Sequence, residues 1–200
     1  CRECETALRR EGRCPFREKC AKLGCFCPHA ARCFLCDAWA CDACGMLRGD
    51  GEDVLCWAST APDEAPMFLD FDRTLASTKG GANPAMGVHS VDAGLLSLLA
   101  DRPNIHIVTR NRHCREITAF LEEKGARQGG FEVHCVSKRR DVTGNESKAA
   151  IIAGVLARAS MRAATTSLFV DDDVAEHFRD GISTLGAPSH RLTRMLFVRG

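Results

Sequence analysis

The sequence lacks long apolar runs, internal repeats and any large excess of charge. No stretch approaches the roughly eighteen consecutive apolar residues of a transmembrane helix, so we expect no membrane span. Lys and Arg number 27 against 26 Asp and Glu, a formal net charge of +1, which gives no general attraction to nucleic acids or membrane surfaces. The chain begins at Cys1 rather than at methionine, so we expect its natural N-terminus further upstream and make no prediction about targeting.

Cysteine is scarce over most of the chain and abundant at its start. Of thirteen cysteines, eleven fall between Cys1 and Cys56, and Cys114 and Cys135 lie beyond. The polar, proline-marked stretch 59–66 follows this change in composition and is typical of a linker. The sequence therefore predicts a cysteine-rich module over 1–58, a linker over 59–66 and a second domain over 67–200.

Repeated Cys-x-x-Cys pairs mark the first segment, and such pairs place two thiolates on one tetrahedral ion. Together with one histidine they give twelve candidate zinc ligands: Cys1, Cys4, Cys14, Cys20, Cys25, Cys27, His29, Cys33, Cys36, Cys41, Cys44 and Cys56. At four ligands for each ion, twelve candidates would fill three sites, or two sites with some thiols left over. The sequence therefore predicts two or three structural zinc ions. The alternative is a disulfide-knotted secreted module. Basic and acidic residues balance at nine each over 1–56, so DNA is not favoured over a protein partner.

From residue 67 onward, short apolar runs alternate with helical patterns, which is typical of a parallel sheet covered by helices. The predicted fold is α/β, a three-layer Rossmann-like sandwich. The predicted strands are 67–69, 105–108, 131–136, 167–170 and 195–198. The predicted helices are 91–100, 113–124 and 146–159, and Gly125 lies where a glycine helix stop is expected.

Polar residues follow several of these strands. Asp70 comes after the first strand, Thr109 after the second and Asp171 after the fourth, while Lys148 lies in the first turn of a helix. Because ligands of open parallel sheets bind at the carboxyl ends of the strands, we expect these side chains to meet at one edge.

Four motifs over about 66–200 resemble the haloacid-dehalogenase-like (HAD) superfamily. The first is Phe68-Leu69-Asp70-Phe71-Asp72-Arg73-Thr74-Leu75, an apolar strand followed by Asp-x-Asp-x-Thr-Leu. The others are Ile107-Val108-Thr109, Asn145-Glu146-Ser147-Lys148, and Leu168-Phe169-Val170-Asp171-Asp172-Asp173. Arg73 departs from the glycine common at its position in many members.

The resemblance implies a magnesium-dependent phosphotransferase. Asp70 is expected to attack phosphorus and become an aspartyl phosphate, and Asp72 to act as general acid and base. Magnesium would be held by Asp70, the backbone carbonyl of Asp72 and Asp171, with Asp172 in support. Thr109 and Lys148 would stabilise the phosphoryl group. The candidate substrate-binding residues are Arg73, Thr74, Arg110 and Asn111.

Two-component receiver domains use similar residues, but their paired acids come at the first strand and their lysine comes last. Here Lys148 precedes the final acid pair, so the order disfavours a receiver. The stretch 76–90 is rich in glycine and small residues, which is typical of a mobile flap. HAD enzymes that act on small metabolites usually have a cap domain inserted after the first or the second motif. Neither this stretch nor the interval between Thr109 and Lys148 is long enough for such a cap, so the chain resembles the capless group of the superfamily.

An open site suits a macromolecular substrate, a phosphoprotein or a nucleic-acid end. Two basic clusters, one at Arg110, Arg112, His113 and Arg115 and one at Lys138-Arg139-Arg140, are candidates for its rim; the alternative is a solvated charged face. The leading interpretation is therefore an intracellular magnesium-dependent phosphatase of the cytoplasm or nucleus. The alternative is a catalytically weak HAD-fold binding or scaffold protein that uses the zinc module for partner recognition.

Overall fold

The computed structural model describes residues 30–32, 39–41, 46–136, 147–160, 166–185 and 191–199. Its strands, in chain order, are β1 (Ala30–Arg32), β2 (Trp39–Cys41), β3 (Met46–Gly49), β4 (Met67–Leu69), β5 (Ile105–Thr109), β6 (Phe131–Cys135), β7 (Thr166–Asp171) and β8 (Arg191–Phe197). Its α-helices are α1 (Gly51–Thr60), α2 (Ala93–Asp101), α3 (Cys114–Glu123) and α4 (Lys148–Ser160), and a 3-10 helix covers Arg179–Thr184.

The strands form one sheet in the order β1-β2-β3-β8-β7-β4-β5-β6. From β3 to β6 the six neighbours run parallel, and β1 and β2 extend the sheet antiparallel beyond β3. β4 lies between β5 and β7, with Leu69 opposite Ile107 on one side and Val170 on the other. The predicted α/β class with a parallel sheet is confirmed, and β4 occupies an interior position with neighbours on both sides.

Side chains of the interior strands alternate between two cores. Met67 and Leu69 face the core beneath α1, α2 and α3, whereas Phe68 faces the core beneath α4. This alternation follows from the two-residue period of a strand. Because both faces are covered, strands such as β4 and β5 are apolar and buried almost throughout, as expected for a parallel sheet.

Helix α2 begins two residues later than predicted because Asp92 caps it: the Asp92 carboxylate accepts from Leu95 N at 3.0 Å. Helix α3 ends near the predicted glycine stop, and Gly125 has φ +111°, which a residue with a Cβ adopts only at a cost. β8 begins four residues earlier than predicted, at Arg191.

Residues 46–58, which composition grouped with the cysteine-rich module, pack with the sheet in the described part of the chain. The module over 1–58 and the linker over 59–66 stay predictions. Strand β3 pairs in parallel with β8, Met46 opposite Arg194 and Gly49 opposite Phe197. Val54 and Ala58 of α1 are buried in the same core as the predicted strands. Cys56, the last cysteine of the cysteine-rich segment, lies within α1.

The predicted zinc ligands from Cys1 to His29, and Cys33, Cys36 and Cys44, lie outside the described residues, as does the side chain of Cys41. Cys56 is a half-buried free thiol on α1. Within the described part of the chain, Cys56 does not belong to any cluster of His, Cys, Asp or Glu side chains close enough together to bind one metal ion. The zinc module, its ion count and its protein partner stay predictions.

The two later cysteines, Cys114 and Cys135, form a disulfide that joins the start of α3 to the end of β6. Disulfides persist in oxidising compartments and are rare in the cytosol. The intracellular location therefore stays a prediction. None of the described helices is long and apolar enough to span a membrane.

Arg102 ties the segment after α1 to the rest of the sheet domain. Its buried guanidinium donates to Ala58 O at 2.7 Å, to Ala61 O at 3.3 Å and to Pro62 O. Replacing Arg102 with methionine keeps the length of the stem but leaves these carbonyls without their donor. We expect the free energy of unfolding to fall by about 2–4 kcal/mol, measured by urea denaturation.

Arg127→Met is the control, because Arg127 is exposed. It should change the free energy of unfolding by less than about 0.5 kcal/mol. Equal stability of the Arg102 and Arg127 variants would contradict the assignment of residues 58–62 to the sheet domain.

Candidate active site

The predicted functional residues meet at the carboxyl edge of the sheet. Asp70 directly follows β4, Thr109 ends β5, Asp171 ends β7 and Lys148 begins α4. All four side chains are buried, with exposed fractions between 1% and 5%. Four distant stretches of sequence thus place their polar groups in one water-poor region, because the parallel strands end there together.

Lys148 bridges two of the carboxylates. Its Nζ donates to Asp70 Oδ1 at 2.6 Å and to Asp171 Oδ2 at 2.7 Å. Burial by itself would lower the pKa of Lys148, but Asp70 and Asp171 together raise it above its ordinary value. The lysine is therefore held as a cation between the two acids.

Asp70 is electrostatically the most perturbed carboxyl of this group. Complete burial raises its pKa to about 8, against the opposing charge of Lys148 and with further help from Asp171. Burial and Asp171 likewise raise the pKa of Asp172. Burial is the larger cause of both shifts and the neighbouring carboxylates add to it, so three acidic groups lie close together around one lysine.

This excess charge fits a hard divalent cation. Asp70, Asp171 and Asp172 each offer one carboxylate oxygen, and these oxygens lie within 4.8 Å of one another. Carboxylate oxygens are the donors that Mg²⁺ prefers. With three carboxylates, of which Asp172 is half-buried, and one lysine, the group carries a net formal charge of −2, which one divalent ion would balance. These residues therefore fit the predicted magnesium.

Asp72 occupies a separate hydrogen-bonded pocket beside this group. Its Oδ1 accepts from Thr78 Oγ1 at 2.6 Å, and its Oδ2 accepts from Gly81 N at 2.8 Å. Asn111 Nδ2 reaches both oxygens at 3.2 and 3.3 Å and also donates to Ala82 O at 2.7 Å. The first Asp of the motif thus faces the lysine and the second faces a set of neutral donors.

The first part of the predicted flap makes hydrogen bonds to the site, and its mobility stays a prediction. Thr78 is fully buried, and the stretch 78–82 is fixed to Asp72 and Asn111 by the bonds just described. The tip beyond it is exposed, with Met86 at 72% and Val88 at 100% exposure. Sequence composition indicated a loop here but gave no signal for the role of Thr78.

Thr74 and Asn111, two candidate substrate-binding residues, differ in their contacts from Thr109, a candidate catalytic residue. Thr74 is fully buried and joins the first and fourth motifs: its Oγ1 accepts from Asp172 N at 3.0 Å and donates to Asp172 Oδ1 at 3.3 Å. Thr109 Oγ1 accepts from Asn111 N at 3.1 Å, which leaves its own hydroxyl proton available to a ligand. Thr74 and Asn111 therefore position the acids, whereas Thr109 can still donate.

Arg73 and Arg110 are the two basic candidates. Arg73 is exposed and has φ +65°, a left-handed conformation that favours glycine. Arg110 instead donates to the buried carboxylate of Glu176, from Nε at 2.8 Å and from Nη2 at 3.0 Å. Because the Glu176 carboxylate neutralises this guanidinium, Arg110 contributes less positive charge to a basic rim than the sequence predicted.

The rest of the predicted rim is partly outside the described residues. Arg112 and Arg115 are exposed, and His113 is half-buried with Nδ1 3.7 Å from Glu116 Oε1. Lys138, Arg139 and Arg140 lie in the gap 137–146. The basic rim therefore stays a prediction that rests on Arg112 and Arg115 within the described chain.

Sequence reasoning missed the support behind the fourth motif. Glu176 is 3% exposed and also pairs with Arg179. His177 is fully buried, and its Nε2 donates to the backbone carbonyl of Asp171 at 3.1 Å. Both follow the motif closely in sequence, but nothing in their spacing distinguishes them from a solvated turn.

No protein-family model matches the chain, and no significant match is found among the curated proteins or the solved structures. The proposed chemistry of this chain therefore rests on its fold and side-chain geometry.

Proposed function

We propose that this protein is a magnesium-dependent phosphatase that works through an aspartyl-phosphate formed on Asp70. One observation carries the proposal: Asp70 and Asp171 converge on Lys148 at the carboxyl edge of a parallel sheet, while Asp72, two residues from Asp70, faces a separate set of donors. A nucleophile and an acid in different surroundings are what a two-step phosphoryl transfer needs.

In the first step a carboxylate oxygen of Asp70 attacks phosphorus. The bond from phosphorus to that oxygen forms and the bond to the ester oxygen breaks, and Asp72 gives a proton to the leaving oxygen. In the second step Asp72 takes a proton from water, which attacks phosphorus and releases inorganic phosphate and free Asp70. Phosphoryl transfer depends mostly on position and on charge neutralisation.

Lys148 and Thr109 supply the neutralisation that the chain itself provides. The lysine cation holds one oxygen of Asp70 and leaves the other carboxylate oxygen to react, and the Thr109 hydroxyl donates to a phosphoryl oxygen. Magnesium held by Asp70, Asp171 and Asp172 would add positive charge against the phosphate.

The proposed substrate is a phosphorylated macromolecule, a phosphoprotein or a nucleic-acid end. Between β4 and α2 the structure places a loop with isolated bridges rather than an inserted domain. Two large apolar side chains at its tip, Met86 and Val88, are exposed. A short loop of this kind leaves the site approachable by a large substrate.

A substrate panel tests the proposal. Phosphopeptides, 3′- and 5′-phosphorylated oligonucleotides and small phosphate esters are incubated with the full chain and Mg²⁺, and released phosphate is measured. Turnover that requires Mg²⁺ and is highest on one macromolecular class is the expected result. Absence of turnover on every substrate, together with tight binding of one of them, would favour the binding or scaffold alternative.

Asp72→Asn is expected to separate the two steps. Asparagine keeps the shape of the side chain but cannot release or take up the proton, so hydrolysis of the phosphoenzyme should slow by about 100-fold or more. Formation from an ester with an activated leaving group should suffer less, because that oxygen needs little protonation. Acid-quenched, labelled phosphoenzyme should accumulate in the variant, and an equal loss of both steps would contradict the acid–base role.

A further inference from the structure

Two histidines and a glutamate form a second cluster, apart from the site around Asp70. His106 lies on β5, and Glu132 and His134 lie two residues apart on the neighbouring strand β6. His106 is opposite Glu132 in the parallel register. The two-residue period of a strand then places Glu132 and His134 on the same face of β6.

The three donor atoms of this cluster converge on one point. His106 Nδ1 lies 3.1 Å from His134 Nε2. Glu132 Oε2 lies 3.5 Å from His106 Nδ1 and 3.3 Å from His134 Nε2. A tetrahedral zinc ion with bonds of 2.0–2.1 Å has neighbouring ligands about 3.3 Å apart. The three separations therefore match the edges of one zinc coordination tetrahedron.

Hydrogen bonding among the three atoms does not account for all of these contacts. Each ring nitrogen carries at most one proton, and an ionised carboxylate carries none. If both rings point a proton at Glu132, two N–H groups face each other between His106 and His134. If one nitrogen is bare, its lone pair faces the lone pairs of the carboxylate. At least one of the three close contacts is thus repulsive in every tautomer, whereas a central cation satisfies all three.

We propose that His106, Glu132 and His134 bind one divalent transition-metal ion of the zinc type, independently of the acidic site. Two imidazoles and one carboxylate are a donor set that suits zinc and its neighbours rather than magnesium. The positive charge of Arg158 on α4 also acts on both rings. The ion is therefore held by ligand bonds and not by an excess of negative charge.

The surroundings give this site a fixed side and an open side. The His106 ring is 7% exposed and stacks on Phe68 with ring centroids 5.5 Å apart. The Glu132 side chain is 64% exposed. The buried His106 ring has a fixed orientation, and three protein ligands would leave one position of a tetrahedral ion for water from the exposed side. Three protein ligands with one open position are typical of reactive rather than closed structural zinc sites.

Histidine-selective ¹⁵N NMR of the full chain tests the proposal directly. Zinc is added stepwise, and the ring nitrogens are assigned from the signals lost in His106→Asn and His134→Asn. We expect His106 to bind through Nδ1 and His134 through Nε2, so that the two rings lock into opposite tautomers in one saturable step of one equivalent. The ¹⁵N signals of the His106 and His134 rings distinguish zinc at this site from zinc bound to cysteines. Adding Mg²⁺ should leave these signals unchanged.

Glu132→Gln is the variant that measures affinity, because an exposed side chain is replaced without disturbing the core. The zinc dissociation constant read from the two rings should rise by about tenfold or more. Glu123→Gln, which changes an exposed carboxylate on α3, should leave it unchanged. Rings that do not respond to excess zinc, or an unchanged dissociation constant in Glu132→Gln, would overturn the site.

Discussion

Replacing Asp70 with asparagine is expected to lower phosphatase activity by at least about 1,000-fold. The substitution removes the attacking oxygen and one of the three carboxylates that face the proposed magnesium, while the side chain keeps its size. Lys148 retains Asp171 as its partner at 2.7 Å, so the domain should remain folded. Phosphate release from the best substrate of the panel measures activity, and thermal unfolding measures the fold.

Asp173→Asn is the matched control for this experiment. Asp173 belongs to the same acidic edge but is exposed, and its side chain accepts from Ala175 N, a bond that asparagine also makes. Its activity should stay within about twofold of wild type, since no step of the proposed reaction uses it. An Asp70→Asn variant with activity within tenfold of wild type would show that Asp70 is not the nucleophile.

Lys148→Met should be the most destabilising single substitution at the site in the absence of magnesium. Methionine fills the space of the stem but leaves Asp70 and Asp171 as buried carboxylates with no cation between them. Removal of one partner from a buried ion pair costs about 3–5 kcal/mol. We expect the free energy of unfolding in urea to fall by that amount and activity to fall with it.

Magnesium should partly restore the stability of this variant. A cation that binds the folded carboxylates stabilises the native state by mass action, and it has more uncompensated charge to neutralise when the lysine is missing. The rise in stability on adding Mg²⁺ should therefore be larger for Lys148→Met than for wild type. Lys124→Met is the control, because Lys124 is exposed over the Phe120 ring. A Lys148 variant as stable as the Lys124 variant would contradict the buried charge network.

The order of the elements from residue 67 onward was predictable because the local signals there agree. Buried parallel strands are continuously apolar, and the helices between them carry glycine stops or acidic caps, as at Gly125 and Asp92. The positions of Asp70, Thr109 and Asp171 follow from the same pattern, since each comes where an apolar run ends. The prediction that these residues converge required only the rule that the carboxyl ends of parallel strands lie at the same edge of the sheet.

Pairing over long sequence distances was not predictable in the same way. Strand β3 is four residues long and joins the sheet through β8, which lies more than 140 residues further along the chain. Helix α1 carries a cysteine, so composition grouped it with the cysteine-rich segment, whereas Val54 and Ala58 of this helix pack in the core of the sheet. The sequence predicted Arg110 as part of a basic rim because it does not show the partner of this residue. Glu176 follows β7 and Arg110 follows β5, and only the fold brings the two side chains together.

The sequence by itself determined the parallel α/β class and the strand-end positions of the acids, because these depend on local periodicity; the candidate chemistry of Asp70 and Asp72 came from the resemblance of their motif. The tertiary structure decided which groups touch: Lys148 between Asp70 and Asp171, Thr78 and Asn111 on Asp72, and His106 beside Glu132 and His134. Hydrogen bonds and ion pairs act over a few ångströms, whereas Lys148 and Asp70 are 78 positions apart along the chain and Thr74 and Asp172 are 98 apart. Only the folded sheet sets those distances.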